Sequence, residues 1–130
     1  MRILILGGPR CGKTTLSAKI ALQQGIHFDD VAHTDDLIGS GAWSDVSAKI
    51  ADLWIPEPGP WLIEGVAVAR ALRKWLSAHP EGKPADTIYH LHEPRTVLTS
   101  HQEGMRKGCL VVFEEIQPEL RRRGVALVHA

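Results

Sequence analysis

Gly7-Gly8-Pro9-Arg10-Cys11-Gly12-Lys13-Thr14 decides how the rest of the chain is read, because the apolar run Ile3-Leu4-Ile5-Leu6 leads into it and an amphipathic segment leads out. An unbroken apolar run closed by Gly7-Gly8-Pro9 suits a central strand covered on both faces better than an alternating edge strand. From Lys13 to Gln24, Leu16 and Ile20 recur at i and i+4 among Ala18 and Ala21, and Gly25 follows as a helix stop. The order is strand, glycine loop, helix.

The alternation continues along the chain. Val31 to Thr34 reads as a second strand ending in Asp35-Asp36, and Val46, Ile50, Leu53 and Trp54 mark one face of a helix. Ile55-Pro56-Glu57-Pro58-Gly59-Pro60 cannot continue that helix and turns into a third strand at Trp61-Leu62-Ile63. Val68, Leu72, Trp75 and Leu76 then repeat at helical spacing until a loop from His79 to Pro84. Thr87 to Leu91 gives a fourth strand, Leu110, Phe113, Ile116 and Leu120 line another helix, and Val125 to Val128 supply a final strand. This pattern implies an α/β fold of three layers, a parallel sheet with right-handed crossovers and helices on both faces. Ligands of such sheets bind beyond the carboxyl ends of the strands, here Gly7 to Thr14, Asp35-Asp36, Glu64 and His92-Glu93.

At 130 residues and 14.3 kDa, one domain over 1–130 is expected. Apolar residues at 44% and charged residues at 23% exclude collagenous, disordered and coiled-coil classes. Fifteen basic residues balance fifteen acidic ones, which argues against a surface that holds nucleic acid by charge. Neither Cys11 nor Cys109 belongs to a C-x-x-C pair, so a disulfide framework and a zinc knuckle lack support and a reducing cytoplasm is expected. Ile3 to Leu6 is too short for a signal peptide, and no segment approaches the roughly 18 uninterrupted apolar residues of a membrane span. A soluble, cytoplasmic protein without a membrane partner is the expectation.

The opening stretch matches G-x-x-x-x-G-K-[ST] between strand and helix. Gly7, Gly8 and Gly12 let the backbone curl so that successive N–H groups point inward at phosphate oxygens, with Pro9, Arg10 and Cys11 completing the loop. The first-turn amides of the helix add donors, Lys13 brings a cation to the outer phosphates, the Thr14 hydroxyl can hold Mg²⁺, and Thr15 can donate to an inner phosphate. Cys11 reads as filler, since nothing in the sequence gives it a redox partner.

G-x-P-x-x-G-K-T-T resembles the P-loop kinases that phosphorylate nucleotides and small metabolites, and other segments match them more loosely. His33-Thr34-Asp35-Asp36-Leu37 is similar to the aspartate element of polynucleotide 5′-kinases and antibiotic phosphotransferases. Trp61-Leu62-Ile63-Glu64-Gly65 with Arg70 downstream resembles an element of nucleoside monophosphate kinases, and Tyr89-His90-Leu91-His92-Glu93-Pro94-Arg95 resembles their fourth strand leading to an arginine-bearing lid. The resemblance implies a P-loop NTPase fold with strand order 2-3-1-4-5, ATP and Mg²⁺ as ligands, and transfer of the γ-phosphate to a small-molecule or nucleotide acceptor.

Phosphoryl transfer asks the protein mainly to position reactants and stabilise charge. The resemblance makes Asp35 the general base, ahead of Asp36, although a solvated turn or helix cap would use the same residues. It puts Glu64, with Thr14 and Asp35, at Mg²⁺. Arg70 can hold an anionic acceptor or a nucleotide phosphate by its fork geometry, and a solvent-facing helix arginine is the plainer alternative. Arg95, Arg106 and Lys107 fall where a lid is expected, with Arg106 over the nucleotide, or else on a charged exposed helix. Arg121-Arg122-Arg123 suits the negative end of a helix dipole. His90 and His92, with His101 or His129, invite a metal reading that spacing alone does not carry. Trp43, Trp54, Trp61 and Trp75 read as packing residues, with stacking on a ligand an alternative for Trp43. Asp36-Leu37-Ile38-Gly39 has the form D-x-x-G but follows the second strand, and no N-K-x-D element accompanies it, which argues against a GTPase switch. Two alternatives stand beside the kinase: an ATP-binding module or weak NTPase without acceptor, and a polynucleotide 5′-hydroxyl kinase, which the neutral charge and Ile38 disfavour.

Overall fold

A computed structural model describes residues 1–37 and 42–130, and the N-terminal apolar run forms the middle of its five-stranded sheet. The strands are β1 (Arg2–Gly7), β2 (Val31–His33), β3 (Trp61–Gly65), β4 (Thr87–Leu91) and β5 (Ala126–His129). They lie in the order β2-β3-β1-β4-β5, and every neighbouring pair is parallel. The helices are α1 (Lys13–Gln24), α2 (Trp43–Lys49), α3 (Val68–Ala78) and α4 (Ser100–Arg122). The α/β class, the parallel sheet and the strand order agree with the expectation. Among the described residues, no helix is long and apolar enough to cross a membrane.

The core explains why the first strand has no polar alternation. Ile3, Leu4, Ile5 and Leu6 are all fully buried, and each such side chain contributes about 1.5–3 kcal/mol of transfer free energy. Ile3 and Ile5, with Leu62 and Leu91, pack beside Ile20 and Ala21 of α1 on one face. Leu4 and Leu6, with Ile63 and Ile88, join Val46 of α2, Leu72 and Trp75 of α3, and Phe113 and Leu120 of α4 on the other. Parallel register sets Ile5 beside Glu64 and Glu64 beside His33, which brings the ends of β1, β3 and β2 into one row.

Two expectations are corrected. The helical face read through Val46, Ile50, Leu53 and Trp54 does not hold to its end, because Ile50–Trp54 is a π-helical turn closed by the Ile55 N–H on the Ile50 carbonyl at 3.0 Å. The extra residue per turn carries Leu53 off the buried face, where it is 58% exposed. The helix read from Leu110 begins at Ser100, so Arg106 and Lys107 belong to α4 and not to a separate lid. Thr99 starts it there: its hydroxyl accepts the Gln102 N–H at 3.2 Å while Gln102 accepts the Thr99 N–H at 3.0 Å.

Candidate functional site

The loop between β1 and α1 has the backbone of a donor cradle. Arg10 and Gly12 both take positive φ, 58° and 88°, and Gly12 then serves as the N-cap of α1 without any side-chain cap bond. No acidic residue sits in the first turn, so no carboxylate of that turn competes for its N–H groups. A side chain at Gly12 would be strained by that positive φ, and its Cβ, 2.6 Å from the Arg95 guanidinium carbon, would push the arginine aside. Lys13 is buried, its Nζ donating to the Gly8 carbonyl at 2.6 Å and lying 3.7 Å from the Cys11 sulfur. The Cys11 thiol donates to the same carbonyl at 2.9 Å.

Further cations gather around this loop. The Arg95 N–H donates to the Arg10 carbonyl at 2.8 Å, which pins the segment after β4 against the cradle. Arg106 reaches it from α4, passing so close to Gly8 that a Cβ there would be 2.8 Å from its own Cβ. Its guanidinium is held by Glu103 at 2.6 Å. Arg70, half-buried on α3, lies over the Trp43 ring at 5.4 Å and shares a cavity of about 520 Å³ with Trp43, Ser100, His101 and Met105. Cys109 links these groups in space: burial pushes its thiol up to about 11, while the charges of Lys13 and Arg70 both act to lower it.

The ends of β2 and β3 hold the acidic residues. Asp35 is exposed, and its Oδ1 receives the Val66 N–H at 3.4 Å; Asp36 is also exposed. Glu64 is 2% exposed and bonds His33 Nδ1 through Oε1 at 2.6 Å, while its Oε2 has no hydrogen-bond partner among the described residues. Gly65 follows with φ 147°, and a Cβ there would run into the Thr34 hydroxyl, itself buried and without a partner among the described residues. Of the residues expected at Mg²⁺, Thr14 alone stands in the loop, exposed on the first turn of α1. Thr15 is exposed beside it.

The remaining candidates lie elsewhere. His90, His92 and His129 line a cavity of about 320 Å³ beside Phe113, and among the described residues no three His, Cys, Asp or Glu side chains are placed to hold a metal. Arg122 and Arg123 close on Glu119 at the end of α4. Trp61 and Trp75 are buried, and Trp43 and Trp54 pack against the core. Ile38 and Gly39, on which the D-x-x-G and polynucleotide readings bear, lie outside the described residues.

No protein-family model and no curated protein matches the chain. The site therefore speaks through its own geometry. Sequence reasoning missed the His33–Glu64 pair and the approach of Arg95 to Gly12. The first was readable only once the register set His33 opposite Glu64; the second depends on a loop path with no periodic signal.

Proposed function

We propose that the protein is a Mg²⁺-dependent P-loop kinase that moves the γ-phosphate of ATP to a small-molecule or nucleotide acceptor. The observation that carries this reading is the cradle: an uncapped helix N-terminus behind a glycine loop, with Lys13 inside it and Arg95 and Arg106 against it. Backbone donors and cations arranged before the substrate arrives are what a phosphoryl transfer site needs, because the charge to be stabilised is spread over the moving group. Lys13 would exchange the Gly8 carbonyl for phosphate oxygens, and Thr14 would hold Mg²⁺, which supplies charge neutralisation at those oxygens. Arg70 offers its fork to a phosphate or an anionic acceptor, and the end of β2 carries the proton acceptor, for which the resemblance names Asp35.

A transfer assay with γ-labelled ATP and Mg²⁺ tests this. Nucleosides, nucleoside monophosphates, 5′-hydroxyl oligonucleotides and a metabolite pool are offered as acceptors. Label reaching an acceptor, and lost in Lys13→Ala, supports the kinase. An unchanged rate in Lys13→Ala refutes it. The second reading, an ATP-binding module or weak NTPase, is favoured by the short non-helical connection from β4 to α4, which leaves no separate lid to exclude water. Label appearing only as inorganic phosphate would select it.

A further inference from the structure

We propose that a cavity at the amino ends of β2 and β3 binds a small molecule carrying a guanidinium group. The site lies apart from the glycine cradle and does not depend on the kinase reading. In this parallel sheet the glycine loop, Glu64 and Asp35 gather at the carboxyl ends of the strands. The cavity, of about 250 Å³, is framed instead by Asp29 and Asp30 ahead of β2 and by Glu57, Pro58 and Pro60 ahead of β3. Trp61, on its border, comes three residues before Glu64, about 10 Å back along the strand.

The walls are aromatic and apolar. Trp61 and Ile63 share one face of β3, and Trp54, at the end of the π-helical turn, lines the cavity with them. Ala32 stands beside Ile63 in register, and a residue that small leaves the space open. The Trp61 indole N–H already donates to the Glu57 carbonyl at 2.7 Å, which fixes the ring and leaves its π surface, not its donor, for a ligand.

The rim is acidic and uncompensated. Asp29, Asp30 and Glu57 are exposed, no lysine or arginine lines the cavity, and among the described residues none pairs with the three carboxylates. Asp29 has a histidine neighbour, His27 Nδ1 at 3.4 Å. Tryptophan and proline walls offer nothing to a hydrated metal ion, whereas an indole face attracts an organic cation. A guanidinium uses both features at once. It lies flat on an aromatic ring, forks its N–H groups to a carboxylate, and is more weakly hydrated than an ammonium, so it leaves water at less cost. A quaternary ammonium would bring the carboxylates no donor. The volume falls below the roughly 300–1,000 Å³ of sites for larger ligands, which selects a cationic head on a short stem.

The test titrates propylguanidine, propylamine, tetramethylammonium and, as a blank, sodium chloride into the whole protein at equal ionic strength. Nitrogen-edited NMR reads the indole N–H signals, assigned from Trp54→Phe and Trp61→Phe. We expect propylguanidine to shift the Trp54 and Trp61 signals saturably, with a Kd of about 1 mM or below, while those of Trp43 and Trp75 stay in place. Propylamine should bind several-fold more weakly. Asp30→Asn and Glu57→Gln, both at exposed positions, should each weaken propylguanidine about twofold to fivefold. Trp54→Leu should abolish the Trp61 shift; a thermal melt checks that it folds, and the Asp30→Asn/Glu57→Gln double variant replaces it if it does not. Acetyl-Gly-Arg-Gly-amide tests the other source of the same group, and tighter binding of that peptide than of propylguanidine would give the cavity to a partner's arginine and overturn the proposal. So would equal affinity for propylamine or tetramethylammonium, equal shifts of every indole, no saturation in the millimolar range, or unchanged affinity in the double variant.

Discussion

The Lys13 ammonium lies 2.6 Å from the carbonyl oxygen of Gly8, so the cation of the loop is held by the loop's own backbone. A buried ammonium needs such a partner, because an unpaired one would pay several kcal/mol in lost hydration. A phosphate entering the cradle must offer more than that carbonyl does. Lys13→Ala should lower transfer by roughly 10²-fold or more, the scale on which one positioned charge-stabilising donor acts. On the kinase reading, ATP and Mg²⁺ should raise the melting temperature of the wild type, measured by calorimetry, and Lys13→Ala should abolish that rise.

Gly65 and Gly25 make a matched pair of tests. Both have positive φ, 147° and 68°, but a Cβ at Gly65 would strike Thr34 and one at Gly25 would meet open space. Gly25→Ala should cost about 1 kcal/mol through backbone strain alone. Gly65→Ala should cost well over 2 kcal/mol, since strain and overlap combine where β3 meets the end of β2. Denaturant titration of the two variants checks the order.

Stability should depend on the protonation of His90. Burial first, then the neighbouring His129 and His92, lowers its pKa from 6.5 to about 4, and among the described residues its Nδ1 has no partner. The unfolded chain therefore binds the proton more readily than the folded one. Stability is fully present above pH 6.5 and falls progressively as pH drops toward about 4, by about 3 kcal/mol from this group. His90→Leu should flatten that part of the curve, read from denaturation midpoints between pH 7 and 4.

Thiol reagents should leave the folded protein nearly untouched. Cys11 and Cys109 are 4% and 2% exposed, and burial holds the Cys109 thiol at about 11, far from the thiolate that reacts. Labelling should proceed at the rate of opening and become complete in denaturant. Fast native labelling of Cys109 would show that α4 opens locally.

Where the sequence carried a strong periodic signal, the fold followed it. Lys13–Gln24 and Thr87–Leu91 fall on the residues that periodicity marked, because an apolar pattern closed by glycine or polar residues leaves little choice of boundary. The first half of α4 was invisible to that method, since Ser100 to Lys107 carry no apolar face and are started by the Thr99–Gln102 box. At the site, the cradle was legible because its chemistry is local. The His33–Glu64 contact joins residues 31 apart, and only strand pairing could reveal it.

β2 pairs with β3 through three residues, and among the described residues no strand lies on its other side. Such a short border ladder opens at a lower free energy than the strands inside the sheet. Warming should therefore detach His33 from Glu64 while the cradle on β1 stays whole, so that the acidic edge of the site comes apart before its glycine loop.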